Sequence, residues 1–415
     1  MKFQLTKQEK NWVLYDVGNS AFTLLVSTIM PIYFNHLASS AGLSDVDYLA
    51  YWGYAASVST LLVALLGPVF GTMADYKGFK KPIFLAFLAV GAIGCISLGL
   101  AKQWLIFLIL FVIAKVGYSG SLIFYDSMLP DITEPDRMDN ISSLGYAWGY
   151  IGSCLPFVAC LVPVLFADAM GLTMASAMML AFCITAAWWV CMSLPLIRGY
   201  HQKHYVERRP GAMGASFVRL WETLKNAKKE KKVFLFLLAF FFYIDGVYTI
   251  IDMATAYGSA LGLDSTGLLL ALLVTQIVAF PFAILFGRLA KKHSSEKLIS
   301  TCIIAYFGIA VFAIFLQSQW QFWTLAVMVG MFQGGIQALS RSYFAKIIPP
   351  EQSGEYFGLL DICGKGAAFL GTTIVSVVSQ LTGSMSTGVG MIAILFVIGF
   401  ILFRLAAKAP ETVRK

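Results

Sequence analysis

The stretch Gly71-Thr-Met-Ala-Asp75-Tyr-Lys-Gly78-Phe79-Lys80-Lys81 closes one long apolar run of the chain, and Gly287-Arg-Leu-Ala-Lys291-Lys292 closes another. A shift of 216 residues lays Gly71 on Gly287 and Ala74 on Ala290. The correspondence continues at a shift of 215: Gly120 falls on Gly335, Asp126 on Arg341, Ser127 on Ser342, Asp131 on Lys346 and Pro135 on Pro350. The first apolar run carries Tyr15-Asp16-Val17-Gly18, and the seventh carries Tyr243-Ile244-Asp245-Gly246. A repeat of half the chain's length means two copies of one structural unit. With six spans in each copy, the two share one orientation and are related by an axis along the membrane normal.

The apolar runs themselves set the class. The 415 residues are 59% hydrophobic and 13% charged, whereas a soluble domain is about half apolar and about a quarter charged. So much apolar surface requires lipid as its solvent. Each run approaches or exceeds the ~20 residues that cross a bilayer as a helix. The reading places spans at 11–37, 48–72, 82–101, 104–129, 142–167 and 171–197, then at 232–260, 264–290, 298–317, 320–345, 356–381 and 385–407. The expected fold is all-α and integral to the membrane, with twelve transmembrane helices in two pseudo-symmetric six-helix bundles, 1–197 and 232–415, joined by a linker at 198–231. The short alternating segments of a β-barrel are not seen. The first run contains Asp16 and has no small-residue cleavage site, so it is expected to be a span of the mature chain and not a signal peptide.

Charge orients the bundle. The net charge of +8 does not indicate nucleic acid, because the basic residues are segregated. Lys77, Lys80, Lys81, Lys291, Lys292, Lys346 and the linker cations fall on the side of the chain start, while the opposite loops carry only Lys102. This asymmetry places both termini in the cytoplasm and the chain in the inner (plasma) membrane. In the linker, Phe217, Leu220, Trp221 and Leu224 recur at i, i+3, i+4, i+7 among basic residues, the pattern of an amphipathic helix lying on anionic lipid. The seven cysteines all lie inside spans without a CxxC and read as packing residues, so neither disulfides nor a metal site is expected.

The stretch after span 2 resembles the signature of the major facilitator superfamily, Gly-x-x-x-Asp-x-x-Gly-Arg-Lys. Gly71, Asp75, Gly78 and Lys80 match, and Phe79 stands where Arg is usual. Leu14-Tyr15-Asp16 with Asn19-Ser20-Ala21-Phe22, Tyr243-Ile244-Asp245-Gly246-Val247-Tyr248-Thr249, and Gly334-Gly335-Ile336-Gln337-Ala338-Leu339-Ser340-Arg341-Ser342 are similar to the bacterial branch of the vacuolar amino-acid effluxer family. The resemblance covers nearly the whole chain. It implies a central cavity lined by spans 1, 4, 7 and 10, alternating access by rocking of the two halves, and an amino acid or derivative as substrate. It also implies that Asp75 meets the N-terminus of span 11 and stabilises the outward-facing state.

Ionisable groups inside the membrane are expensive and mark the pathway. Span 1 carries a polar stripe of Asp16, Asn19, Ser20, Thr23 and Ser27; span 7 carries Asp245, Tyr248, Thr249 and Asp252; span 10 carries Gln333, Gln337, Ser340 and Arg341. These faces line the cavity or hydrogen-bond to a neighbouring helix. Symmetry-equivalent positions face each other across the two-fold, so Asp126 with Arg341, and Asp131 with Lys346, are expected to form ion pairs that close the cytoplasmic side. The alternative is that each charge bonds within its own half. Asp16 and Asp245 are two carboxylates at equivalent places, suited to proton coupling or to attracting an amino group; otherwise each bonds locally. Lys115, beside Tyr118 in span 4, has no acid nearby in sequence and needs Asp16, Asp252 or a substrate carboxylate. Asp361 and Lys365 form an i, i+4 pair. Gly145-xxx-Gly149 and Gly330-xxx-Gly334 permit close packing.

An enzyme is not indicated. No Walker, His-Glu-x-x-His or Gly-x-Ser-x-Gly motif occurs, and the four histidines fall outside the membrane core, His201 and His204 reading as solvated surface. No cofactor is expected. The sequence therefore reads as a monomeric, lipid-embedded secondary transporter of a small polar solute, coupled to protons. A sugar-like or amphiphilic solute is the alternative, and a membrane sensor is a more distant one.

Overall fold

The computed structural model describes residues 4–207 and 230–410. Among the described residues, twelve helices are long and apolar enough to cross a membrane. They are α1 (Lys7–Ser40), α2 (Asp45–Ala74), α3 (Lys80–Leu98), α4 (Trp104–Ser127), α5 (Met138–Leu165) and α6 (Met174–Gly199), then α7 (Lys231–Ala260), α8 (Ser265–Leu289), α9 (Ser295–Ile314), α10 (Gln319–Ile347), α11 (Ser353–Thr382) and α12 (Met385–Lys408). The amphipathic helix expected around Phe217, Leu220, Trp221 and Leu224 lies outside the described residues.

Helix ends differ from the hydropathy boundaries by a few residues, for local reasons. α1 begins at Lys7 and not at 11, because Thr6 and Glu9 form a reciprocal cap: the Thr6 hydroxyl accepts the Glu9 N–H, and the Glu9 carboxylate accepts the Thr6 N–H. α5 begins at Met138, four residues before its apolar run, because Asp139 and Asn140 in its first turn are buried against the second half. A π-helical turn at Leu25–Ile29 interrupts α1 midway.

Packing repeats between the two halves. α1 packs on α5 and α6, as α7 packs on α11 and α12. α3 packs on α4 and α6, as α9 packs on α10 and α12. α2–α4 and α5–α6 match α8–α10 and α11–α12. The contacts between halves obey the same symmetry: α2–α11 mirrors α5–α8, and α4–α11 mirrors α5–α10. At α2–α11, Gly71 comes so close that a Cβ there would lie 2.4 Å from the Gly354 carbonyl oxygen. At α5–α8, a Cβ on Gly287 would lie 2.8 Å from the Ser143 Cβ. The two repeat glycines are thus where the halves touch.

Candidate functional site

The ion pairs between halves lie toward the end carrying Lys80, Lys346, the start of α1 and the end of α12, called here the basic face. Arg341 is their centre. It projects from α10 into the first half and is 4% exposed. Its Nη1 donates to Asp126 Oδ1 at 2.9 Å and its Nη2 to Asp16 Oδ2 at 3.2 Å. Nε donates to Ser142 Oγ at 2.9 Å, and Nη2 also reaches the Ser142 carbonyl at 3.0 Å. The guanidinium carbon lies 4.6 Å from the Trp12 ring centre and 4.4 Å from that of Tyr146. Every one of these partners belongs to α1, α4 or α5. Gly145 makes the space, since a Cβ there would sit 2.4 Å from Asp16 Oδ2. Gly145 therefore admits the arginine, beyond the packing role read from its spacing.

The second expected pair does not form. Asp131 lies in the single turn Leu129–Ile132 after α4, and its carboxylate is claimed by Lys80 of its own half and by the start of the linker. Oδ1 accepts the N–H groups of Lys203 at 3.1 Å and His204 at 2.9 Å, Oδ2 accepts the Tyr200 hydroxyl at 2.6 Å, and Lys80 stands 3.8 Å away. Lys346 is still helical in α10 and pairs across the halves with Asp139 instead. Asp139 also accepts the hydroxyls of Ser342 at 2.6 Å and Ser295 at 2.8 Å. Sequence reasoning missed Asp139, although a buried acid in the first turn of α5 was a readable signal, acids being favoured at helix N-termini.

Asp75 reaches the N-terminus of α11, where Oδ1 accepts the Gly354 N–H at 2.8 Å and Oδ2 the Glu355 N–H at 3.0 Å. An anion at unsatisfied N–H groups is favoured by both hydrogen bonding and the helix dipole. Lys80, fully buried, donates to Ser353 Oγ across the interface at 2.7 Å and stands between Asp75 and Asp131.

The segment after α6 straps this corner. Val206 N–H donates to the Asp75 carbonyl at 2.8 Å, Lys77 N–H donates to the Val206 carbonyl at 3.3 Å, and Gly78 N–H donates to Gln202 Oε1 at 3.0 Å. His204 Nδ1 lies 3.0 Å from Asp131 Oδ1, so this histidine is not simply solvated surface. Burial would raise Asp131, but the bond from His204, the charge of Lys80 and the Tyr200 hydroxyl together hold its carboxyl below the usual range. The same bond to Asp131 pushes the His204 pKa above its ordinary value, against some burial and with the help of Asp131's charge.

On the other side of Arg341 the helices enclose water-accessible polar groups. Thr23 is exposed and shares a 2.6 Å hydrogen bond with the Tyr118 hydroxyl. Ser27 and Asp252 are exposed, and Lys115, Tyr248 and Gln337 are partly so. Lys115 and Asp252 lie on different halves, close enough to act on one another electrostatically. Lys365 Nζ donates to Asp361 Oδ2 at 2.6 Å, within α11. Gln333 is buried.

Asp16 and Asp245 do not share this space. Asp16 is held by Arg341 and by the Asn19 amide at 3.2 Å. Asp245 is fully buried; its Oδ1 accepts the Gly371 N–H of α11 at 2.9 Å and the Thr249 hydroxyl at 3.3 Å.

A twelve-helix bundle with two-fold contacts, polar groups bridging its halves at one face and charged groups in a central space, is the architecture of a major facilitator transporter. Solved structures agree. The human organic anion transporter MFSD10 (TETRAN) superposes with a TM-score of 0.72 at 14% identity, covering 96% of this chain and 100% of that one. FucP, a major facilitator superfamily transporter in the outward conformation, superposes at 0.71 and 14% identity, covering 97% and 99%. The family profile described as "Vacuole effluxer Atg22 like" matches residues 6–410, and the chain belongs to that family. It is 42% identical to the uncharacterized MFS-type transporter YxiO of Bacillus subtilis (strain 168), over 99% of this chain and 97% of that protein. These relatives are transporters by name, not enzymes.

Proposed function

We propose that the protein is a secondary active transporter of an amino acid or close derivative, coupled to protons and working by alternating access. The two halves, 1–197 and 232–415, rock about the linker at 198–231. The basic face is the cytoplasmic one, so both termini are cytoplasmic and the chain sits in the plasma (inner) membrane as a monomer.

One observation carries the choice of substrate. Lys115 of the first half and Asp252 of the second are both water-accessible, act on one another, and make no direct ion pair within 4.0 Å among the described residues. A zwitterion satisfies both at once, its carboxylate on Lys115 and its ammonium on Asp252, and in doing so joins the halves. Of the neutral groups that would favour a sugar, Gln333 is buried, Gln337 is partly exposed, and the exposed Trp148 packs edge-on against Phe280 at 5.4 Å, so the charged pair and not these groups carries the choice.

The test is uptake of a labelled panel of L-amino acids into proteoliposomes, with and without an imposed pH gradient. Gradient-dependent uptake is expected, with a loss of about tenfold or more in Lys115→Met and in Asp252→Asn, in line with removing one partner of a charged contact. No uptake by folded, inserted protein overturns the amino-acid reading and turns attention to sugars and amphiphiles.

A further inference from the structure

The membrane-embedded acids of this structure can be sorted by the cation each one meets. Asp16 and Asp126 share Arg341. Asp361 has Lys365. Asp252 faces Lys115 in water-accessible space. Asp245 has none: it is fully buried, no ion pair reaches it, and its Oδ2 has no hydrogen-bond partner among the described residues.

Among the described residues, none of the helices packed on α7, which are α8 to α12, brings an ion-pairing group to it. α12 contributes the Phe396 ring, against Gly246, and α11 contributes the backbone of Gly371. α10 contributes the Ser340 hydroxyl, 2.7 Å from that of Tyr243. On α7 itself the neighbours are Thr249 and Tyr248, with Asp252 two turns on. Of the basic groups on these helices, Arg341 is committed to the first half, Lys365 to Asp361 and Lys346 to Asp139, while Arg404 and Lys408 are exposed near the end of α12, two turns or more beyond Phe396. Lys231 and Lys232 stand at the start of α7, roughly 20 Å away along the helix. An isolated carboxylate in such a place costs far more than its neutral acid, and the group avoids the cost by keeping a proton.

We propose that Asp245 is the residue that carries the coupling proton, and that the conformation seen here is its protonated state. This rests on the transporter reading above and deepens it. Proton uptake makes one O–H bond on Oδ2 and breaks one O–H bond of a hydronium ion in the cavity, which leaves as water. Release breaks that bond and returns the proton to water on the opposite face. Release requires water at Oδ2, and so requires α11 to draw away from α7. The contact is unusually close: a Cβ on Gly371 would lie 2.3 Å from Asp245 Oδ1 and 2.1 Å from Thr249 Oγ1. α11 is also the helix whose N-terminus Asp75 and Lys80 hold at the basic face. One helix therefore links the proton site to the gate, and the proton stays trapped while the gate is shut.

Infrared difference spectroscopy on the full-length protein in lipid tests this without any substrate. At neutral pH the wild type is expected to show the carbonyl stretch of a protonated carboxylic acid. That band should vanish in Asp245→Asn and persist in Asp126→Asn and Asp16→Asn. Asp245→Glu should shift the band without removing it, and serves if the amide variant does not fold. A wild type without the band, or a band that survives in folded Asp245→Asn, overturns the proposal. A band lost in Asp126→Asn instead would assign the proton to the Arg341 cluster. If the amino-acid panel is not taken up at all, the transport reading fails, while the infrared result still decides the proton's address.

Discussion

At the scale of single residues, the contact between the halves at the basic face centres on one guanidinium. Arg341 balances two carboxylates, Asp16 and Asp126, and fills an aromatic cage built from Trp12 and Tyr146. Removing one partner of a buried ion pair strands the other charge and costs about 3–5 kcal/mol. Arg341→Met should therefore loosen the interface strongly. In a background lacking the seven native cysteines, Ser143→Cys reports this, because Ser143 is buried beneath Gly287. Its maleimide labelling should rise by roughly 100-fold or more in Arg341→Met. Exchanging the two charges, Asp126→Arg with Arg341→Asp, should recover little of the closure. The new carboxylate would face the negative ring surfaces of Trp12 and Tyr146 with Asp16 beside it. Full recovery by the exchange would show that charge alone, without the cage, closes the gate.

At the scale of elements, the sequence revealed whatever followed from period and symmetry. All twelve helices could be placed because lipid demands long apolar runs, and Asp126 could be matched to Arg341 because both lie inside helices of equal depth. Asp131 and Lys346 looked equivalent in register, but Lys346 continues its helix while Asp131 has already left α4. Its real partners, Tyr200, Lys203 and His204, are some 70 residues away and gave no periodic signal. The isolation of Asp245 was likewise hidden, since it depends on what α10, α11 and α12 fail to bring near it.

The strap formed by residues 200–207 makes one pH-dependent prediction. A histidine whose pKa is raised in the folded state stabilises fully below its ordinary value, about 6.5, and loses that contribution as pH rises through the raised value. The strap should accordingly loosen on the alkaline side. Limited proteolysis within residues 200–207 should speed up as pH rises above neutrality, and His204→Gln should flatten that dependence. Cleavage that is insensitive to pH in the wild type would mean that the backbone bonds to Asp131 and Asp75 hold the strap alone.

At the scale of the whole molecule, four of the helix–helix interfaces between the described halves form two symmetric pairs, α2–α11 with α5–α8 and α4–α11 with α5–α10. If each half moves as one body, neither member of a pair opens without the other. A Cβ on Gly287 falls 2.8 Å from the Ser143 Cβ. That is slightly inside the ~3.5–4.5 Å a disulfide spans, so a small outward give of α8 accommodates the bond. Ser143→Cys with Gly287→Cys should then cross-link α5 to α8 on oxidation. The α2–α11 interface, untouched by the bond, is read by labelling Ser353→Cys, a fully buried position that bonds Lys80. Rigid halves predict that oxidation drops Ser353→Cys labelling to the closed baseline and that a reductant restores it. Continued labelling in the cross-linked protein would show the two gates opening separately, with α11 moving on its own, and proton release from Asp245 would then need no motion of the first half.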